Sequence, residues 1–310
     1  MQLFCPTQNF TFALKFFMSK YFFFLILLMS ELSKAQFCKE MPNNSLPNFQ
    51  NFNSFFLQSK KIKKVNISYA VKEDAQRIKD LGISETLFLD SLGQVTKRLK
   101  IVKSDTSETF YYYQKNNLSI ERSFHANEIT SVYYNHDSLR NKTKEMHCKE
   151  ENAGNSKAYF KLKRQDLVWS ENYAYQQINA KQLHRKTFND IGALYKEAIL
   201  YTNEKGWITE ENERFSVTGV SQNFKYNYDS AGNLVEKVFS TDVVGLLEEK
   251  STFTYDSFGN ILGEKFFRNG NLIQEKIYFY DAKNEILQAI LTKYPDRKTI
   301  EMQNFQVEYF

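Results

Sequence analysis

Aromatic and polar residues alternate along the C-terminal third of the chain in a pattern that repeats. Lys225-Tyr226-Asn227-Tyr228-Asp229, Thr252-Phe253-Thr254-Tyr255-Asp256 and Ile277-Tyr278-Phe279-Tyr280-Asp281 align without gaps, about 26 residues apart. Rings at i and i+2 share one face of a strand, because successive side chains of an extended backbone point to opposite sides. After each aspartate the chain turns and returns apolar, through Gly232-Asn233-Leu234, Gly259-Asn260-Ile261 and Asn284-Glu285-Ile286. An aspartate that bonds the backbone ahead of it, with a glycine three residues later, specifies a tight turn. In the third copy Asn284 is expected at the glycine's left-handed position. A second connector, Arg268-Asn269-Gly270-Asn271, carries the Asn-Gly pair that favours two-residue hairpins. Each period therefore holds two strands and two turns.

Weaker copies extend the pattern upstream. They begin with Leu89-Asp90-Ser91-Leu92-Gly93 and continue at Tyr111-Tyr112-Tyr113, Tyr133-Tyr134-Asn135, Phe188-Asn189-Asp190 and Tyr201-Thr202-Asn203. Tyr294-Pro295-Asp296-Arg297 reads as a last turn, and Phe305, Val307 and Tyr309 as a terminal strand. Helix signals are few, and Val71–Leu81 is the segment that fits one. The expected fold is all-β: an antiparallel meander of hairpin repeats over 84–310, forming an open twisted sheet, a solenoid or a partial barrel. Residues 36–83 are expected as a linker or capping segment, with Lys60-Lys61-Ile62-Lys63-Lys64 a solvated flank before a strand.

Composition supports strands. The 310 residues include 28 Phe, 19 Tyr and 2 Trp, but only 11 Gly and 4 Pro. This excludes collagen-like and low-complexity chains, which lack the aromatics to close a core. The net charge of +5, from 41 basic and 36 acidic residues, is not concentrated in a patch, so nucleic acid is not an expected partner.

The N-terminus reads as an export signal. Lys20 precedes an uncharged apolar run, Tyr21–Met29, and Ser33-Lys34-Ala35 supplies small residues before Gln36. The run is too short to cross a bilayer, so no transmembrane span is expected after cleavage near Ala35. Residues 1–35 form the signal. Met18 is a compact alternative start, which makes 1–17 an upstream extension. The protein is expected to be secreted, periplasmic or on the cell surface. Cys38 follows Phe37 rather than a small residue, which argues against a lipid anchor. Cys38 and Cys148 can form one disulfide in an oxidising compartment or remain buried thiols.

The Tyr228-Asp229-x-x-Gly232-Asn233 and Tyr255-Asp256-x-x-Gly259-Asn260 units resemble the tyrosine–aspartate repeats of the Rhs/YD-repeat family. The resemblance covers about 224–291 clearly and reaches back to about 84 in degenerate form. It implies an exported β-repeat protein, with carbohydrate binding as a role proposed for such repeats. Large members enclose a C-terminal toxin; this chain is too short for that shell and ends in the repeat, so the toxin does not carry over.

Catalytic signatures are lacking. His125, His136, His147 and His184 match no metal-binding spacing, and there is no G-x-S-x-G elbow, phosphate loop or dinucleotide glycine pattern. His147-Cys148 with Glu150 and Glu151 is the one cluster with metal or thiol chemistry. Glu210-Glu211 and Glu248-Glu249 would face opposite sides of a strand. Asp229, Gly232, Asp256, Gly259 and Asp281 are read as turn makers. No metal, cofactor or catalysis is expected. The expected role is a non-catalytic module binding a glycan or a surface protein through Tyr226, Tyr228, Phe253, Tyr255, Tyr278 and Tyr280. A structural envelope component that assembles edge to edge is the alternative, and a hydrolase with an unrecognised site is a further one.

Overall fold

The computed structural model describes residues 52–243 and 247–310. The segment expected as an export signal, Cys38 and the stretch up to residue 51 lie outside the described residues. Among the described residues a short helix, α1 (Ser54–Ser59), precedes eighteen strands. The first nine are β1 (Ile62–Glu73), β2 (Lys79–Leu89), β3 (Val95–Val102), β4 (Asp105–Gln114), β5 (Asn117–His125), β6 (Glu128–His136), β7 (Lys142–Asn152), β8 (Leu162–Asn179) and β9 (Gln182–Phe188). The rest are β10 (Leu194–Thr202), β11 (Ile208–Phe215), β12 (Ser221–Tyr228), β13 (Leu234–Thr241), β14 (Leu247–Tyr255), β15 (Ile261–Arg268), β16 (Asn271–Tyr280), β17 (Leu287–Lys293) and β18 (Thr299–Tyr309).

Each strand pairs antiparallel with the next, and β1 also pairs with β18, from Val65 opposite Val307 to Glu73 opposite Thr299. The sheet is the expected antiparallel meander, closed into a barrel; of the forms the repeat allowed this agrees with the barrel and not with the open sheet or the solenoid. The closing strand is β1, which lies within the lead-in expected over 36–83 and carries no repeat motif. Closure satisfies the two edges that a meander of this length would otherwise leave bare. The helix expected over 71–81 is absent: Val71 ends in β1, Ala75 takes φ +57° in the turn, and Lys79 opens β2. Ladder partners on both sides of β1 override the weak helical spacing there.

The repeat aspartates make the turns at one end of the barrel, here the lower rim. Asp90 Oδ1 accepts from the amides of Leu92 and Gln94, both at 2.9 Å. Asp256 Oδ1 accepts from Phe258 at 2.9 Å and Asn260 at 2.8 Å, and Asp229 Oδ1 from Asn233 at 2.8 Å. Asp137 and Asn203 repeat this geometry upstream. Gly232 and Gly259 take φ +90° and +87°. The third copy differs from its expected form. Asp281 N donates to Ile286 O, one residue farther on than in the other copies, and the left-handed residue is Glu285 at φ +59°, not Asn284.

Helix α1 caps the lower rim. Asn53 Oδ1 accepts from Phe56 N, and Phe56 and Leu57 are buried among Ile62, Val65, Leu87, Val95 and Leu118. That packing identifies the inner face, and the strand register then assigns the rest. The inner layer near α1 is aliphatic and aromatic. Outward positions on β11 to β15 include Arg214, Lys225, Asn227, Glu248 and Lys265, all exposed. A wall facing lipid needs an uncharged apolar band, and these strands do not present one. No helix among the described residues is long and apolar enough to cross a membrane.

The α1 contact gives a direct test. A Cβ on Gly93 would lie 2.1 Å from the Ser54 carbonyl oxygen and 2.8 Å from Gln58 N, and Gly93 has φ +72°. Gly206 has a similar φ of +76° with nothing within 4 Å. Gly206→Ala is expected to cost roughly 1–2 kcal/mol from the left-handed backbone alone. Gly93→Ala is expected to cost more and to displace α1, read as a larger drop in urea midpoint. Equal drops would show that α1 contributes nothing to the cap.

Candidate functional site: the inner wall of strands β5 to β11

Above the apolar layer the inner face becomes charged. The register places Glu121 (β5), Glu145 and His147 (β7), Trp169, Glu171 and Tyr173 (β8), Arg185 and Thr187 (β9), and Glu211 and Glu213 (β11) on one continuous inner surface. Two ion-pair groups frame it. Arg185 bonds Glu211 and, at 2.6 Å, Glu213, and Lys196 reaches Glu213 at 3.3 Å. Farther round the wall, Glu85 accepts from Arg98 Nε at 2.8 Å and from Tyr69 OH at 3.0 Å. Burial disfavours the Glu85 charge, but Arg98, Lys100 and the Tyr69 hydroxyl hold its carboxyl below the usual carboxylate range.

Between these groups the wall is less satisfied. His147 Nε2 lies 2.7 Å from Glu145 Oε1, and its ring stacks on Trp169 with centroids 3.7 Å apart and planes 17° from parallel. Burial works against Glu145 as well, but Lys142 and His147 hold its pKa down. Glu121 has no such support. Burial pushes its carboxyl up to about 7, Arg98 opposing and the neighbouring Glu145 charge adding to the rise. Glu121 Oε2, Thr187 Oγ1, Arg185 Nε and Glu211 Oε2 are buried atoms without a hydrogen-bond partner. Buried polar atoms are nearly always paired, so four on one wall set this surface apart from the rest of the interior.

The repeat aromatics lie elsewhere. Tyr226, Phe253 and Tyr278 are buried, at 2%, 7% and 9% exposure, in the inner layer near the lower rim. Tyr228, Tyr255 and Tyr280 are half-buried beside them; the Tyr228 hydroxyl donates to Ile208 O at 2.7 Å and that of Tyr255 to Leu234 O at 2.6 Å. Barrel closure turns the i and i+2 rings inward, so they do not form an exposed outer platform. His147 and Cys148 sit on opposite faces of the wall, so their adjacency builds no shared site. Cys148 is a buried thiol on the outer face, its pKa raised by burial and the Glu150 charge. Its suggested disulfide partner, Cys38, lies outside the described residues. Among the described residues no group of three or more His, Cys, Asp or Glu side chains is placed to hold a metal ion.

Motif reading missed this wall because its residues come from five strands and share no local signature. One signal was present: Glu211 and Glu213, like Arg98 and Lys100, sit two apart and so repeat on a single face.

No protein-family model matches the sequence, and no characterised protein matches it at the sequence level. Among solved structures, a porin-like protein from Bacteroides uniformis is 12% identical with a TM-score of 0.32, covering 80% of this chain and 98% of that one. A porin-like protein from Bacteroides vulgatus is 10% identical with a TM-score of 0.34 and the same coverage. A TcdB2–TccC3 structure is 11% identical with a TM-score of 0.26, covering 73% of this chain and 16% of that one. Scores this low carry no inference about function.

Proposed function

We propose that this protein is a non-catalytic, exported or cell-surface binding module that takes a glycan against the inner wall of β5 to β11. The observation that carries this reading is the set of unpartnered buried atoms on Glu121, Thr187, Arg185 and Glu211, beside the stacked His147–Trp169 pair. Such a wall offers both hydrogen-bond donors and acceptors next to a flat apolar ring. A polyhydroxylated ligand answers both, its hydroxyls satisfying the orphan atoms and a sugar face lying on the ring. The export half of the proposal rests on the Lys20–Gln36 pattern. The Tyr226, Phe253 and Tyr278 layer then acts as the floor beneath the site rather than as the contact surface.

The test is binding to an array of bacterial and host glycans. Saturable binding to one class is expected. Trp169 is 40% exposed, so Trp169→Ala should leave the fold intact while weakening binding by about tenfold or more, the loss typical of a truncated aromatic anchor. A well-folded protein that binds nothing on the array, or a Trp169→Ala variant that binds as tightly as the native chain, overturns the reading.

A further inference from the structure

The barrel wall has a step at the upper rim. Strand β8 is much longer than its neighbour β9: Asn172 pairs with Phe188 at the upper end of β9, while β8 continues upward to Leu162. Residues 162–171 pair with β7 on one side, from Asn152 opposite Leu162 to Glu145 opposite Glu171. On the other side they have no strand partner, because the chain has already turned at Asn189–Ala193 into β10. Every residue from Leu162 to Trp169 is exposed. Leu162, Leu167 and Val168 are 46%, 54% and 55% exposed, and Ile191, in the turn at the foot of the step, is 83% exposed. A bare strand edge with apolar side chains is a template for another strand.

We propose that this edge joins two copies of the chain, β8 pairing antiparallel with β8 about a two-fold axis at Gln165. The order of charges argues for a second copy over a foreign strand. Reversed on itself about Gln165, the segment sets Arg164 opposite Asp166 twice, Leu162 opposite Val168, and Lys163 opposite Leu167. Each of these pairs joins positions of equal parity, so Arg164 and Asp166 meet on the same face of the combined sheet. The β7–β8 register shifts at Val168 and again at Lys163, so the regular core of this ladder is Arg164-Gln165-Asp166, with the Leu162–Val168 and Lys163–Leu167 pairs at its bulged ends. In the single chain Arg164 Nε bonds Asp166 Oδ1 at 3.1 Å, and both side chains remain more than half exposed. Both are therefore available to a partner, and their replacement leaves the core untouched. A two-fold contact of this kind closes on itself, which limits assembly to a dimer.

Sedimentation of the native chain, Asp166→Arg, and the double variant Arg164→Asp/Asp166→Arg tests the proposal, with melting curves as the check on folding. The native chain is expected to dimerise with rising concentration. Asp166→Arg sets like charges opposite at both symmetry-related positions and should weaken the dimer by about tenfold. The double variant restores opposite charges in the same register and should recover it. A native chain that stays monomeric overturns the proposal. So does a dimer that Asp166→Arg leaves unchanged, or one that the double variant fails to restore. An unaffected dimer would place self-association on another surface, and a monomer that captures a foreign strand would give the edge to a different partner. The outcome is independent of glycan binding, which Asp166→Arg should not alter.

Discussion

Glu150→Ala should cost about 3–5 kcal/mol of stability, the range found when one member of a buried ion pair is removed. On the outer face of β5 to β8, Glu150 is fully buried with no exposed side-chain surface, and its partner Arg122 is 7% exposed. Glu150 Oε2 accepts from Arg122 Nε at 2.7 Å and from Ser131 Oγ at 2.6 Å, and Oε1 accepts from Tyr133 OH. The segment between β7 and β8 makes the cover. Phe160 lies 3.7 Å over the Arg122 guanidinium and edge-on to Phe124, and Lys157 bonds Glu108 at 2.8 Å. Alanine would strand a guanidinium under an aromatic lid with no carboxylate to balance its charge, leaving it only the neutral Ser131 and Tyr133 hydroxyls. Burial disfavours the Glu150 carboxylate, but Arg122, Ser131 and Tyr133 hold its pKa below normal. Its contribution is thus present above the unfolded carboxylate pKa and is lost as pH falls through the lower folded value. Urea denaturation at pH 7 reads the loss. Arg122→Met/Glu150→Leu should recover most of it, because an apolar pair of similar volume removes the stranded charge. If the single variant costs less than about 1 kcal/mol, the cover does not exclude water and the cluster is a surface feature.

That cluster shows where sequence reading reached its limit. The Asp90, Asp229 and Asp256 turns were legible because an Asx turn is made within five residues, and its geometry is fixed by local chemistry. The i and i+2 rings of Tyr226 and Tyr228 were legible as one strand face for the same reason. Which face that was could not be read, since barrel closure decides it, and closure depends on β1, whose apolar positions Val65, Ile67 and Tyr69 carry no turn motif. Glu150 and Arg122 are 28 residues apart, and Arg185 and Glu211 are 26 apart. Their meeting follows from strand register, which a single sequence does not print. Even His147-Cys148-Lys149-Glu150, adjacent in the chain, divides between the two faces: His147 belongs to the inner wall and Glu150 to the outer cluster.

Glu121 should make the protein lose stability as pH rises from about 4.5 to about 7, opposite in sign to the carboxylates that are paired. Its carboxyl is held at about 7 in the folded chain against a reference of 4.5. Within that window the folded state keeps a proton that the unfolded chain has released, so folding binds protons and stability falls as they are withdrawn. The shift corresponds to a loss on the order of 3 kcal/mol, complete above the folded value. Glu85, Glu145 and Glu150 act in the other direction, since their folded pKa values lie below the reference, and their contributions disappear only as the solution becomes more acid than about pH 4.5. These carboxylates together make stability decline on both sides of mildly acid pH, while His136, its pKa lowered by burial and Lys142, works against the Glu121 decline as pH rises toward 6.5. Glu121→Gln keeps the side-chain volume and cannot ionise, so it should remove the alkaline decline and exceed the native chain at pH 8. Matching slopes for the two proteins between pH 5 and 8 would show that Glu121 titrates normally and that water reaches it. The same titration bears on the binding proposal. A ligand hydroxyl that donates to the Glu121 carboxylate favours its charged form, so a saturating glycan should move the decline to lower pH, whereas a ligand bound elsewhere would leave it in place.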